Sequence, residues 1–170
     1  MQQLLIETLA CFLATFAFSI IFNIRGKFLI WASIGGGISW FFYKLILNAS
    51  DSNTLSMFGS AVIFSSYAEI LARKLKTPVT TLVVCGLIPL VPGSGMYYTM
   101  SSAVNGNITQ TWSLAIATFA SAGSLALGVV FTSTITRIIL TFKNKTYRKV
   151  KSIYKPKIKL QFKKKSNENK

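Results

Sequence analysis

Pro89, Pro92, Gly93 and Gly95 form the densest cluster of chemically informative residues, inside the run LIPLVPGSGMYY at 87–98. That run lies in an apolar stretch from Val79 to Val104. Proline lacks a backbone N–H and clashes with the carbonyl four residues back, so Pro89 and Pro92 free the carbonyls of Cys85 and Ile88. Gly93 and Gly95 admit backbone angles closed to other residues. A helix entering this run is therefore expected to break. It is expected to restart near Ser94, with the Ser94 hydroxyl placed to cap the new N–H groups. A helix start of this kind attracts anions such as carboxylates, and Tyr97 and Tyr98 add phenolic hydrogen-bonding groups. In lipid, irregular backbone survives only against protein or a water-filled cavity. Discontinuous helices near mid-membrane recur at transport sites. The competing reading is a kinked packing helix, because Pro and Gly are common in membrane helices.

Glu69 and Arg73 are the second candidates. Four residues apart, they can pair on a helix. Past Asp51, Glu69 is the only carboxylate in the apolar part of the chain. Intramembrane acids are functional suspects by default. Yet Glu69 is about one helical turn from the basic residues Arg73, Lys74 and Lys76. A proton or substrate role and an interfacial ion pair both remain open. The sequence has no His, which removes the commonest general base and metal ligand. Cys11 and Cys85 lie far apart in apolar segments, as packing thiols do. No metal site, cofactor, catalytic residue or paired carboxylates are expected, so catalysis has nothing to stand on.

The elements that carry these residues follow from composition. Of 170 residues, 51% are hydrophobic and 14% charged, against about 25% charged in soluble domains. Twelve of the 19 Lys and Arg fall in residues 143–170, and no charge lies between Thr77 and Thr136. The expected architecture is an all-α integral membrane protein. Its transmembrane domain covers 1–142 and a basic cytoplasmic tail covers 143–170.

The first apolar segment, Leu4 to Phe22, is not a signal peptide: its start lacks positive charge and Glu7 comes early. Cys11, Thr15 and Ser19 give it a small-residue stripe, the mark of helix contact in lipid. The second segment, Phe28 to Leu47, centres on Ser33-Ile-Gly-Gly-Gly37. Ser33/Gly37 and Ala32/Gly36 are small-xxx-small pairs that favour close packing, with lining of a substrate path as the alternative. Trp31, Trp40 and Tyr43 are amphipathic aromatics, and Tyr43 suits an interface belt. A polar loop is expected over 48–54, then a third segment from Leu55 to about Leu71. Pro78 opens the fourth segment. From there to Pro92 is about 21 Å of helix, which puts Pro89 near the middle of a core about 30 Å thick. Residues 105–111 are expected to turn. A fifth segment runs from Trp112 to about Leu140, with Ala120, Ser124, Gly128, Thr132 and Thr136 as a packing face.

About five transmembrane helices therefore arise, the fourth broken at Pro-x-x-Pro-Gly. Arg25, Lys27, Arg73, Lys74, Lys76 and the tail all fall on one side of this layout. The positive-inside rule then places the N-terminus outside and the C-terminus in the cytoplasm of a multi-pass cell-membrane protein. The tail is expected to face anionic lipid rather than nucleic acid, and its last residues, SNENK, to be disordered.

Gly86-Leu-Ile-Pro89-Leu-Val-Pro92-Gly93, followed by Gly95 and Tyr97-Tyr98, resembles the signature of the threonine/serine exporter family. The resemblance is closest to the C-terminal half of those exporters, or to the small YjjB-like subunit of the split form. Glu69-x-x-x-Arg73-x-x-Lys76-x-Pro78 fits the same region, and the likeness covers residues 1 to about 142. It implies a secondary exporter of small carboxylate-bearing solutes, threonine and serine or, in split members, the dicarboxylate succinate. It implies a separate larger membrane subunit, because the second half of fused members is absent from this sequence. It also marks Pro89, Pro92, Gly93 and Tyr97 as path residues. A channel-type subunit is an alternative, as is a structural partner whose substrate site lies on another chain. Assembly into an oligomer is compatible with each.

Overall fold

The computed structural model describes the backbone of residues 2–167 and the side chains of residues 2–142. Two compact units divide the chain, Met1–Ser133 and Thr134–Lys170. Six α-helices account for the described residues: α1 (Gln2–Ile21), α2 (Lys27–Ser50), α3 (Asn53–Leu75), α4 (Val79–Leu87), α5 (Gly93–Val104) and α6 (Ile108–Asn167). A short 3₁₀ turn, Ile88–Leu90, follows α4. Helices α1, α2, α3 and the 108–142 part of α6 are each long and apolar enough to cross a membrane. The α4 and α5 segments are bent by 54° at the break, and counted as one span they bring the total to five. The chain is thus an all-α membrane protein with its fourth span broken at the Pro-x-x-Pro-Gly run.

Helix α2 packs against α1, α3 and α4. Small residues make this possible: Thr15 and Ser19 on α1 and Ala32, Ser33, Gly35, Gly36 and Gly37 on α2 are buried. A Cβ on Gly36 would run into the Thr15 side chain, so the helices approach closely only because Gly36 has none. Two of the hydroxyls brought inside are satisfied locally, with Thr15 donating to Cys11 O at 2.8 Å and Ser33 to Leu29 O at 2.8 Å. Such back-bonding keeps polar groups tolerable away from water. The apolar core of Phe64, Ala68, Leu71, Leu82 and Cys85 sits where α3 meets α4. Both cysteines are free thiols, Cys85 buried and Cys11 half-buried.

Two expected loops are shorter than their polarity suggests. Helix α2 continues to Ser50 and α3 begins at Asn53, so only Asp51 and Ser52 separate them, not 48–54. Asp51 takes a left-handed conformation (φ 50°) and its N–H closes α2 on Leu47 O. Helix α6 likewise starts at Ile108, leaving 105–107 as the turn, with Gly106 at φ 74°. The packing stripe on α6 is also shifted. Ser121, Ser124, Gly128 and Thr132 are buried, whereas Ala120 is exposed. A strict four-residue spacing drifts around a 3.6-residue helix, so the buried line steps back to Ser121. In the tail, the α6 backbone continues to Asn167, a span that takes in Ser166 and Asn167 of the SNENK run expected to be disordered. The expectations for the tail's side chains and for residues 168–170 fall outside the described residues.

Candidate functional site at the broken span

The break absorbs its two prolines by tightening. The Cys85 carbonyl, which Pro89 cannot serve, accepts from the Ile88 N–H. The Ile88 carbonyl, which Pro92 cannot serve, accepts from Val91 at 3.2 Å. Pro92 then sits at φ −74° and ψ 58°, and the Gly93 N–H donates to Val91 O at 2.7 Å across it. This is an inverse γ-turn. The next helix begins at Gly93 with Pro92 in the capping position and no side-chain cap. The expected Ser94 cap therefore does not form. The helix restarts one residue earlier, and Ser94 is already inside its first turn. The N–H groups of Ser94 and Gly95 find no acceptor among the described residues.

The two halves of the span are held differently. Ser39 on α2 donates to Gly36 O at 2.7 Å and to Gly86 O at 3.1 Å, and Ser60 on α3 donates to Ser39 O at 2.5 Å. These bonds fix the end of α4 to α2, and α2 to α3. By contrast, Ser102 is the sole buried residue of α5. Its close contact is with α6, where a Cβ on Gly95 would lie 2.6 Å from Thr118 Oγ1.

A cavity of about 300 Å³ opens at the break. Pro89 to Pro92, Ser94 and Gly95 form one wall. Trp40 and Tyr43 of α2, Asn53 and Met57 of α3, and Leu114, Ala117, Thr118 and Ser121 of α6 complete it. Its polar groups are joined: Tyr43 donates to Asn53 Oδ1 at 2.8 Å, and Asn53 Nδ2 donates to Ser121 Oγ at 3.0 Å. This chain links α2, α3 and α6 around the opening. Every residue of the lining is uncharged. A second cavity, of about 330 Å³, is lined by Tyr98, Ser101, Ser102, Asn105, Gln110 and Leu114. Leu114 borders both.

Of the residues singled out from sequence, Pro89, Pro92, Ser94 and Gly95 come together at the first cavity, and Tyr98 lies at the second. Gly93 is exposed at the turn, and Tyr97 is 68% exposed and borders neither. Glu69 and Arg73 do pair, with Glu69 buried. They sit about 18 Å along α3 from Met57, at a rise of about 1.5 Å per residue, so the pair is not part of the cavity. Three features were not evident from sequence. Asn53 and Ser121 gave no motif, and Trp40 and Tyr43 suggested interface aromatics. Glu7 and Lys44 form an ion pair of 2.9 Å between α1 and α2. Two opposite charges within neighbouring apolar segments were the available signal.

The family model described as "Threonine/Serine exporter, ThrE" matches residues 7–135. No curated relative and no solved structure matches. The match covers most of the chain and reaches into every span, and the chain belongs to the threonine/serine exporter family.

Proposed function

We propose that this member of the exporter family is the membrane subunit of a secondary exporter for small carboxylate-bearing solutes. Threonine, serine and succinate-like acids are the candidate substrates, and a separate larger membrane subunit is the partner. The observation that carries this reading is the cavity at the break of the fourth span. At about 300 Å³ it lies at the low end of ligand sites, about 300–1,000 Å³, which suits an amino-acid-sized solute. Pro89, Pro92 and Gly93 shape the break. The free N–H groups of Ser94 and Gly95 meet the carboxylate, as helix starts do. Tyr43, Asn53, Thr118 and Ser121 supply neutral hydrogen-bonding groups to the rest of the solute. The path continues past Leu114 to the Tyr98 cavity and the 105–107 turn. Tyr97, turned outward, has no step in it. Glu69 and Arg73 act as an ion pair at the basic end of the bundle.

By the positive-inside rule, the basic loops support an orientation with that end in the cytoplasm and the N-terminus outside a cell membrane. The cavity then belongs to the outer half, beside the turns at Asp51–Ser52 and 105–107. The tail meets anionic lipid on the inner face. The test is export of labelled threonine, serine and succinate from cells making the chain with Pro89→Ala and Pro92→Leu together. Both changes restore an N–H and let the helix run through. Export is expected to fall to background with insertion retained, and unchanged export would refute the reading. Collapse of export by a protonophore separates coupled transport from a channel. A substrate analogue that crosslinks to the larger subunit alone would move the path off this chain.

A further inference from the structure

The lining of the cavity carries no charge, yet a carboxylate at membrane depth calls for a counter-charge. Glu69 and Arg73 are too far along α3 to provide it. Lys44 does not itself line the cavity, but it lies one turn beyond Trp40, which does. Its ammonium stands 5.5 Å from the centre of the Trp40 ring. Lys44 Nζ lies 2.9 Å from Glu7 Oε2, and Trp40 Nε1 donates to the same oxygen at 3.2 Å. An ammonium and an indole N–H thus converge on one carboxylate oxygen. The other oxygen of Glu7 takes the Gln3 amide at 3.3 Å. The pair is not sealed, since the side chains of Lys44 and Glu7 are 30% and 27% exposed. A solute carboxylate presents the same acceptor to the same two donors.

We infer that Lys44 and Trp40 form a carboxylate receptor at the rim of the cavity, and that Glu7 occupies it as an internal surrogate until a solute carboxylate displaces it. The inference rests on the exporter reading above and names the specificity-determining groups of that site. No covalent bond changes. The ammonium exchanges one carboxylate for another, and Glu7 is released to water at the rim. Lys44 selects for the acid group, and Glu7 sets how strongly a solute must bind to enter.

The test is equilibrium binding of radiolabelled threonine, serine and succinate to the full chain reconstituted with its larger subunit in nanodiscs. Glu7→Gln removes the competitor and is expected to tighten binding about tenfold, the scale of a charge-assisted hydrogen bond. Lys44→Met is expected to weaken it by about tenfold or more. The swap of Glu7→Lys with Lys44→Glu keeps an ion pair between α1 and α2 but reverses the receptor. It is expected to fold, eluting as the wild type does, and to lose binding. A pair that merely clamps α1 to α2 behaves differently. Both single variants would lower thermal stability without opposite effects on affinity, and the swap would bind as the wild type does. That result overturns the inference and leaves the exporter reading intact. Absence of binding of all three solutes by the wild type overturns both.

Discussion

A single methyl group at Gly95 tests the geometry of the cavity wall. The Cβ of Gly95→Ala would lie 2.6 Å from Thr118 Oγ1, 3.3 Å from its Cγ2 and 3.4 Å from its Cβ. Ordinary carbon contacts are about 3.5–4.0 Å, so the overlap with the hydroxyl approaches about 1 Å. Thr118 cannot simply turn aside. Its hydroxyl donates to Leu114 O at 2.7 Å, and a β-branched side chain has few rotamers in a helix. Either that bond is lost or α5 retreats from α6. Overpacking of this kind costs about 1–3 kcal/mol, and about 1.4 kcal/mol is a factor of ten. Since Gly95 and Thr118 both line the cavity, the displacement falls on its wall. Threonine export is expected to fall about tenfold at unchanged membrane level. Gly123→Ala on α6, where nothing lies within 4 Å, is the matched control and should export normally. Thr118→Ala in the Gly95→Ala background removes both atoms nearest the new methyl and leaves only a 3.4 Å contact. Partial recovery is expected, with a coupling of about 1–2 kcal/mol in the double-mutant cycle. Normal export by Gly95→Ala, or a second substitution that adds its loss to the first, would refute the α5–α6 contact as the wall of the path.

Gly36→Ala drives a methyl into Thr15 and should destabilise the α1–α2 contact by about 1–3 kcal/mol, read as a lower midpoint in thermal unfolding. Thr15→Gly should restore it, and an unshifted midpoint in Gly36→Ala would show that the helices are not in register there. Glu69→Gln removes the acid of the pair with Arg73. It is expected to lower thermal stability while export keeps its response to a protonophore. Loss of that response would transfer the coupling role to Glu69.

What could be seen from sequence alone divides along physical lines. The broken span was legible because its cause is local: two missing N–H groups and a length near one bilayer core act wherever the helix goes. The close-packed faces of α1 and α2 were legible for the same reason, since small residues at Thr15, Ser19 and Gly36 repeat at helical spacing. The restart was displaced because Pro92 closes an inverse γ-turn that only its own ψ determines. The α6 stripe slipped because a period of four outruns the helix, so burial at Ser121 replaced Ala120. The far wall of the cavity was not legible. Asn53 and Ser121 are ordinary polar residues whose meaning arises from a 3.0 Å bond between helices distant in sequence. Glu7 and Lys44 sit between these cases. Each alone is an expensive charge in an apolar segment, and their proximity follows from the antiparallel packing of α1 on α2. An early residue of the first helix then faces a late residue of the second. Trp40, one turn before Lys44 on α2, both lines the cavity and donates to Glu7, so it joins the pair to the opening. The charges that make insertion costly are thereby the ones placed where a solute carboxylate would need them.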